Sequence, residues 1–360
     1  RVLFRSNAGK WKLQLQTPAA GGPFTLTASG STTVLIKDIQ IGEVWLCAGQ
    51  SNMEMPMKGY LTQTPPQLVD SGAFYSANSL NYNLRVFTCG WNGTSRIPVS
   101  DITTGNWETA SSATTPDFSA TAYFFARKLQ ETLGIPVGVI VTARGGSSIE
   151  SWMDSTTLAS VEPVIIPSVV NWQDAQATPT IIYNTMLYPF IGFSIKGIIW
   201  SQGEANRSNY QSYQTKFTKL INSWRTQWNQ GEFPFYFAQV APNGGTTNVN
   251  AAGLREAQLN TMLTVNSTGM ATTMDIGVQG LDHYPKKKVV GDRLALWALI
   301  KNYGISGTPS GPVVKSMTIK NDTINLKFNY TDLGLTSFGL GLSDFEIAGA
   351  NKVFYPATVT

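Results

Sequence analysis

Five short apolar runs recur along the middle of the chain, and this recurrence constrains the fold more than any other feature of the sequence. The runs read EVWLCAG, PVGVIVTA, IKGIIWS, FPFYFAQVAP and GMATTMDIG. Such runs are typical of strands that are covered on both faces. Between them, DFSATAYFFARKLQETLG and YQSYQTKFTKLINSWRTQW place apolar residues at helical spacing. Because strand and helix alternate, the sequence predicts an α/β fold with a parallel sheet.

The two ends of the chain have a different pattern of apolar and polar residues. KWKLQLQ, FTLTA and TTVLIKDIQI alternate apolar and polar residues, as antiparallel strands do. A long helix is predicted from Pro285 to Gly304, and alternation returns after it. We therefore predict an N-terminal β segment over 1–38, an α/β domain over 39–305 and a C-terminal β segment over 306–360. We further hypothesise that the two β segments pack together as one sandwich.

Composition argues against several classes of partner. The chain has 360 residues, of which 13% are charged, and its net charge is +4. The basic residues are scattered apart from Lys286–Lys288, so we expect no nucleic-acid partner. We interpret these three lysines as a solvated helix start, with contact to an anionic substrate group as the alternative. No apolar run approaches the ~20 residues that a membrane-spanning helix needs, and no targeting segment is visible.

Cysteine and histidine counts limit the possible metal chemistry. Two cysteines cannot form a disulfide framework, and Cys47 lies in an apolar run, where a buried free thiol is the usual explanation. One histidine and two distant cysteines do not make the usual zinc sets, and no HExxH motif exists. We expect no metal and no other cofactor, with a carboxylate-only magnesium or calcium site as the open alternative.

Unusual polar groups follow four of the five apolar runs. In an open parallel sheet, ligands bind at the carboxyl ends of the strands, so these groups are the first candidates for a site. They lie in GQSNM, RGGSSIESW, QGEAN and GLDHYP, and the residues of interest are Ser51, Gly145, Gly146, Gln202, Glu204 and His283.

Ser51 and His283 have the residue types of a nucleophile and its base. His283 is the only histidine, and imidazole titrates near neutral pH, as a general base must. Its position after a predicted strand and before Pro285 favours this role over a surface or core role. Ser51 follows two small residues that permit a sharp turn into a helix, whose free N–H groups can donate to an oxyanion. A plain helix cap is the alternative for Ser51. The predicted oxyanion donors are the N–H groups of Ser51 and Gly146 and the side-chain amide of Gln202.

No serine has glycine at both minus two and plus two, so a standard α/β-hydrolase elbow is absent. Four blocks instead resemble the sialate O-acetylesterase family of SGNH hydrolases, over about Gly9 to Ala348: GEVWLCAGQSNMEMPM, GGSSIESWM, LYPFIGFSIKGIIWSQGEAN and HYPKKKVVGDRLALWAL. The resemblance implies a three-layer, flavodoxin-like α/β body with β extensions, a Ser51 nucleophile and a His283 base. Its oxyanion donors would be Ser51, Gly146 and Gln202.

The same resemblance implies an activity and a location. The expected reaction is removal of O-acetyl groups from sugars, most of all sialic acids, by a periplasmic or secreted enzyme that needs no cofactor. A deacetylase of acetyl xylan or another polysaccharide is the alternative within enzymes. A non-catalytic carbohydrate-binding protein is the alternative from another class. The sequence does not indicate an oligomeric state.

One position departs from the family pattern. Many SGNH enzymes orient the histidine with an aspartate three residues before it, and here that residue is Gly280. Asp282 is adjacent to His283, and neighbours in an extended segment point to opposite sides. Glu204 is therefore the preferred third catalytic residue, as related carbohydrate esterases suggest. A backbone carbonyl that holds the imidazole is the third option.

Overall fold

The computed structural model describes residues 15–243 and 249–359, apart from the single residues 333, 338, 340 and 344. Most of the strand predicted over KWKLQLQ lies outside the described residues. The chain forms two compact units, one ending at Ile305 and the other beginning at Ser306. No helix of the described part is long and apolar enough to cross a bilayer.

The first unit contains nine strands and seven α-helices among its described residues, besides short 3₁₀ and π turns. The strands are β1 (Gly21–Ser29), β2 (Thr33–Ile41), β3 (Glu43–Gly49), β4 (Asn81–Thr88), β5 (Trp107–Ala110), β6 (Val137–Ala143), β7 (Gly197–Ser201), β8 (Phe235–Ala238) and β9 (Thr268–Ala271). The helices are α1 (Ser51–Glu54), α2 (Gly72–Ala77), α3 (Ala120–Leu133), α4 (Ser155–Ala159), α5 (Tyr213–Trp228), α6 (Val249–Thr264) and α7 (Lys287–Asn302).

Seven strands form the central sheet in the order β5-β4-β6-β3-β7-β8-β9. All neighbouring pairs are parallel except β4 and β5, so the predicted α/β fold with a parallel sheet is confirmed. The five apolar runs are β3, β6, β7, β8 and β9. Strands β4 and β5 were not predicted, because both are partly exposed and lack a continuous apolar run.

Helices cover both faces of this sheet. On one face Trp45 of β3 contacts Phe125 of α3, and Tyr236 of β8 stacks on Trp297 of α7. On the other face Trp200 of β7 stacks on Phe217 of α5. Helix α3 packs on α7, and α5 packs on α6. The result is the three-layer arrangement that buries a sheet on both sides.

The register of the three central strands brings their carboxyl ends level. Gly49, the last residue of β3, pairs with Ala143 at the end of β6 and with Ser201 at the end of β7. The segments that follow these strands therefore begin side by side at one edge of the sheet. Cys47 lies inside β3 as a buried free thiol, as predicted.

Antiparallel pairs occur toward both ends of the chain. In the first unit β1 pairs with β2. In the second unit β10 (Val313–Lys320) pairs with β11 (Thr323–Asn329), and β12 (Glu346–Ala348) pairs with β13 (Phe354–Pro356). The division at residues 38 and 305, and the packing of 1–38 against 306–360, stay predictions.

Candidate active site

Ser51 is the first residue of α1, and only Gln50 separates it from Gly49, the last residue of the central strand β3. The turn is close to β7, because Gln50 N–H donates to the carbonyl oxygen of Ser201 at 2.8 Å. Gly49 has a φ of +140°, and a Cβ there would lie 2.1 Å from the same oxygen. Only glycine fits this position, so the sharp turn that presents Ser51 depends on it.

Ser51 lines a cavity of about 480 Å³ at the carboxyl edge of the sheet. This volume is in the range of pockets that hold small ligands. The cavity is lined by residues from the segments that follow β3, β6, β7 and β9: Gln50, Ser51, Glu54, Tyr60, Gln63, Gly145, Gly146, Glu204, Ala205, Arg207, Asp282 and His283. The predicted nucleophile, base and glycine-rich turn therefore meet in one cavity.

His283 faces this cavity with its imidazole held from one side. Nδ1 lies 2.5 Å from Oε1 of Gln67, and the ring packs edge-on against Tyr60 with centroids 5.0 Å apart. Burial and the nearby Lys287 lower the pKa of the imidazole from its ordinary value. The ring is thus neutral at neutral pH, the state that a general base requires. No hydrogen bond joins it to the Ser51 hydroxyl among the described residues.

Backbone N–H groups of two segments are available to a developing oxyanion. Ser51 N–H, at the start of α1, and Gly146 N–H donate to no other group in the described part of the chain. Gly146 has a φ of +72°. The neighbouring Gly145 N–H donates to Oε2 of Glu54 at 2.6 Å, which ties this turn to α1. The positions predicted for two oxyanion donors are therefore compatible with that role.

Gln202, the third predicted oxyanion donor, is engaged elsewhere. Its amide nitrogen donates to the carbonyl of Ser147 at 3.0 Å and to Oδ1 of Asn206 at 2.7 Å. Its amide oxygen accepts from the Tyr213 hydroxyl at 2.9 Å. The side chain is 1% exposed and does not line the cavity. These hydrogen bonds support the turn at 147 and do not support an oxyanion contact.

Gln50 occupies the cavity wall instead. Its amide oxygen accepts from the N–H groups of Gly203 and Ala205, at 3.2 and 3.4 Å. Gln50 thus lines the cavity, and Gln202 as an oxyanion donor stays a prediction that its hydrogen bonds do not support.

Glu204 and Asp282, the two carboxylates considered for the imidazole, both have other partners. Glu204 Oε1 accepts from Asn52 Nδ2 at 2.6 Å, and burial raises the pKa of this carboxyl group. Asp282 Oδ1 accepts from Arg207 Nη2 at 2.8 Å and from Asn243 Nδ2 at 2.6 Å. Glu204 as the residue that orients His283 stays a prediction, and this hydrogen bonding does not support it.

Lys287 corrects the interpretation of the three-lysine cluster. Lys286 is exposed, but Lys287 is 0% exposed, and its Nζ donates to Oδ1 of Asn52. Burial lowers the pKa of Lys287 to about 7, an effect that Glu204 opposes. A run of three lysines usually indicates a solvated surface, and only the structure shows that the second one points inward to Asn52, the residue after Ser51.

Sequence reasoning missed four further residues of this region. Asn52 and Glu54 lie within the motif that contains Ser51, so their closeness to the site was the available signal. Tyr60 and Gln67 lie in an irregular segment with no motif. Among the described residues no group of three or more His, Cys, Asp or Glu side chains is arranged to hold a metal ion.

The chain matches known proteins over most of its length. Residues 41–296 match the family described as carbohydrate esterase, sialic acid-specific acetylesterase. The chain is 26% identical to the sialate O-acetylesterase of Rattus norvegicus over 89% of this chain and 69% of the rat protein. It is 27% identical to that of Homo sapiens over 66% of this chain and 48% of the human protein. It thus spans about half the length of the human relative.

A solved structure shares the fold. A carbohydrate acetylesterase from Xanthomonas citri superposes on this chain with a TM-score of 0.85 and 33% sequence identity. The likeness covers 98% of this chain and 78% of that one.

Proposed function

Because the chain belongs to the family of carbohydrate esterases described as sialic acid-specific acetylesterases, we propose that it removes O-acetyl groups from sugars through a serine acetyl-enzyme. The observation that carries the proposal is the meeting of Ser51, at the start of α1, with the single histidine His283 in one cavity of about 480 Å³. A serine hydroxyl that shares a cavity with an imidazole base is a pairing that can catalyse acyl transfer.

The proposed reaction has two steps. His283 takes the proton of the Ser51 hydroxyl as the oxygen attacks the acetyl carbonyl, and the N–H groups of Ser51 and Gly146 hold the oxyanion. The imidazolium then gives its proton to the departing sugar oxygen. In the second step His283 takes a proton from water as the water attacks the acetyl-enzyme. The bond to the Ser51 oxygen then breaks, the imidazolium returns the proton to that oxygen, and acetate is released. Each proton moves between His283 and an oxygen, so the reaction needs no cofactor.

Within this activity, O-acetylated sialic acids are the first proposed substrate, since the mammalian relatives are named for them. Neutral acetylated sugars such as acetyl xylan are the second candidate, and one observation favours them. Three carboxyl groups line the cavity, whereas its cationic lining residue Arg207 is bonded to Asp282. A sialic acid would bring a further carboxylate into this surrounding. Location in the periplasm or outside the cell also remains a proposal from the family.

The test is acetate release from O-acetylated sialic acid, acetyl xylan and 4-nitrophenyl acetate. Ser51→Ala and His283→Ala should each lower kcat by at least about 10³-fold. Ser155→Ala is the matched control, because Ser155 is also the first residue of a helix but is exposed and does not line the cavity. Turnover that survives Ser51→Ala would overturn the mechanism. A wild type that releases no acetate but binds these sugars would favour the carbohydrate-binding alternative.

A further inference from the structure

Gln67 is the hydrogen-bonding partner of the only histidine in the chain. Its Oε1 lies 2.5 Å from Nδ1 of His283. A side-chain amide oxygen can only accept, so Nδ1 must carry a proton for this contact to be a hydrogen bond. In the neutral ring the second nitrogen, Nε2, then has a free lone pair.

The main chain holds Gln67 in place from several directions. Its N–H and carbonyl pair with the carbonyl and N–H of Tyr60, at 3.2 and 2.8 Å, which closes the segment 60–67 into a hairpin. The approach is tight, because a Cβ at Gly59 would lie 2.2 Å from the Gln67 carbonyl oxygen. Shortly after, Asp70 N–H donates to the carbonyl of Pro285 at 3.0 Å, so this segment is also tied to the one that carries His283.

Tyr60 links the same hairpin to the nucleophile. Its hydroxyl donates to the carbonyl oxygen of Ser51 at 3.1 Å, while its ring packs against His283. The hairpin 60–67 therefore contacts both Ser51 and His283, and the contact to Nδ1 of the imidazole comes from Gln67.

Resting on the proposed function, we propose that Gln67 is the positioning residue of His283: it holds the Nδ1–H tautomer and so leaves Nε2 free to accept the Ser51 proton. Asp282 and Glu204 are bonded to Arg207 and Asn52 respectively. A neutral amide thus occupies the place that a carboxylate fills in many serine hydrolases.

A neutral partner changes how the charged ring is stabilised. A carboxylate at Nδ1 favours the imidazolium by charge, whereas an amide oxygen contributes only a hydrogen bond. Lys287 and Asp282 act on the pKa of the ring in opposite directions, and Tyr60 is in ring contact. Glu54, Glu204 and Arg207 line the same cavity. Replacing Gln67 by glutamate should therefore raise the pKa of His283.

The first test reads the tautomer directly and needs no substrate. Because the chain has one histidine, protein labelled with ¹⁵N-histidine and carrying no histidine tag shows a single imidazole in NMR spectra. We expect the proton on Nδ1 in wild type and in Gln67→Glu. In Gln67→Met the proton should shift toward Nε2, as in free imidazole side chains. A wild-type proton on Nε2, or a Gln67→Met spectrum that keeps the wild-type tautomer, would overturn the proposal.

The second test separates positioning from folding and from binding. Gln67→Met should lower kcat by at least about 10-fold with little change in KM, because the base loses its orientation. Gln67→Glu should recover most of the activity, with the acidic limb of its pH profile moved to higher pH. Thr62→Met, in the same hairpin but exposed and outside the cavity lining, should match wild type. Equal kcat in Gln67→Met and wild type would contradict the role.

The outcomes distinguish this proposal from the proposed function. If wild type has no esterase activity but shows the Nδ1–H tautomer that Gln67→Met loses, the positioning contact stands and the esterase proposal fails. If esterase activity depends on Ser51 and His283 but not on Gln67, the esterase proposal stands and the positioning role of Gln67 fails. Thermal unfolding of each variant checks that the hairpin change has not unfolded the chain.

Discussion

Lys287 Nζ donates a hydrogen bond to Oδ1 of Asn52, the residue that directly follows Ser51. The amide nitrogen of Asn52 in turn donates to Oε1 of Glu204 at 2.6 Å. The Asn52 side-chain amide therefore joins the buried Lys287 to the Glu204 carboxyl group, next to Ser51 in the chain. Lys287 is 0% exposed, and burial lowers its pKa to about 7. This arrangement predicts a dependence of stability on pH.

Lys287 should make the protein more stable as pH rises above neutral. Between its folded pKa of about 7 and its ordinary value of 10.5, the unfolded chain binds more protons than the folded one. The free energy of unfolding should then rise with pH by up to about 1.4 kcal/mol per unit. Below the folded pKa, where both states are charged, this contribution is flat. In Lys287→Met the rise should be missing.

Urea unfolding followed by tryptophan fluorescence measures this difference. All 10 tryptophans precede Ile305, so the signal reports on the first unit. The free-energy gap between wild type and Lys287→Met should grow in favour of wild type between about pH 8 and about pH 9.5. Parallel curves for the two proteins would contradict a depressed pKa at Lys287.

The lowered pKa of His283 predicts the acidic limb of the pH–activity profile. Burial and Lys287 lower the pKa of its imidazole below the ordinary 6.5, against the opposing effect of Asp282. Because only the neutral ring accepts a proton, kcat/KM should rise with pH, reach half its plateau below 6.5, and be flat at neutral pH. Rates for 4-nitrophenyl acetate, corrected with Ser51→Ala, give the profile. A midpoint at or above 6.5 would be incompatible with this environment.

Glu54 should matter for catalysis without touching the base. Its Oε2 accepts from the N–H of Gly145 at 2.6 Å, next to the proposed oxyanion donor Gly146. Glu54→Ala releases this turn, and kcat should fall by about 10- to 100-fold as the donor loses its position. Glu131→Ala is the control, because Glu131 forms an ion pair with Arg127 on an exposed surface of α3. Equal losses in both variants would show that the effect is not local.

The buried ion pair between Lys216 and Glu150 should contribute strongly to the free energy of unfolding. Lys216 Nζ lies 2.5 Å from Oε1 of Glu150 and 2.8 Å from Oε2 of Glu162. Lys216→Met leaves the buried Glu150 without its cation, so the free energy of unfolding should fall by about 3–5 kcal/mol. Lys58→Met removes a more exposed pair with Asp117 and should change it by less than about 1 kcal/mol. Similar losses of unfolding free energy in Lys216→Met and Lys58→Met would show that burial does not set the strength of these ion pairs.

Chelation should leave the activity intact. The proposed steps move protons only between His283 and oxygen atoms, and the described residues offer no cluster of metal-binding side chains. Acetate release should be unchanged after dialysis against EDTA. Activity that disappears on dialysis and returns with magnesium or calcium would point to the carboxylate-only site that the sequence left open.

The backbone of the site was predictable, because apolar runs reveal strands and strand ends reveal ligand edges. The segments with Ser51, Gly146 and His283 do converge on one cavity. What the pattern could not reveal is the direction of individual side chains. Gln202 follows β7 as expected but turns to the carbonyl of Ser147, and Gln50 lines the cavity in its place.

Residues in segments without periodicity were beyond prediction for a different reason. Gln67 lies in LTQTPPQLV, where neither helical nor strand spacing limits the structure. Its role depends on a hairpin that the Tyr60–Gln67 backbone pair closes. Tyr60 ties this hairpin to Ser51, and the nearby Asp70 ties the segment to Pro285. Lys287 was predicted wrongly for another reason. A cluster of three lysines indicated a solvent-exposed surface, but the fold buries the second of them.

The hairpin 60–67 also limits how this enzyme's specificity can be redesigned. Tyr60 and Gln63 form part of the cavity wall, while Gln67 at the end of the same hairpin holds the imidazole. A graft of a different loop, chosen to admit a bulkier sugar, would remove the partner of His283 together with the old wall. Directed evolution of this surface would therefore succeed only in libraries that keep position 67 constant or supply another acceptor for Nδ1.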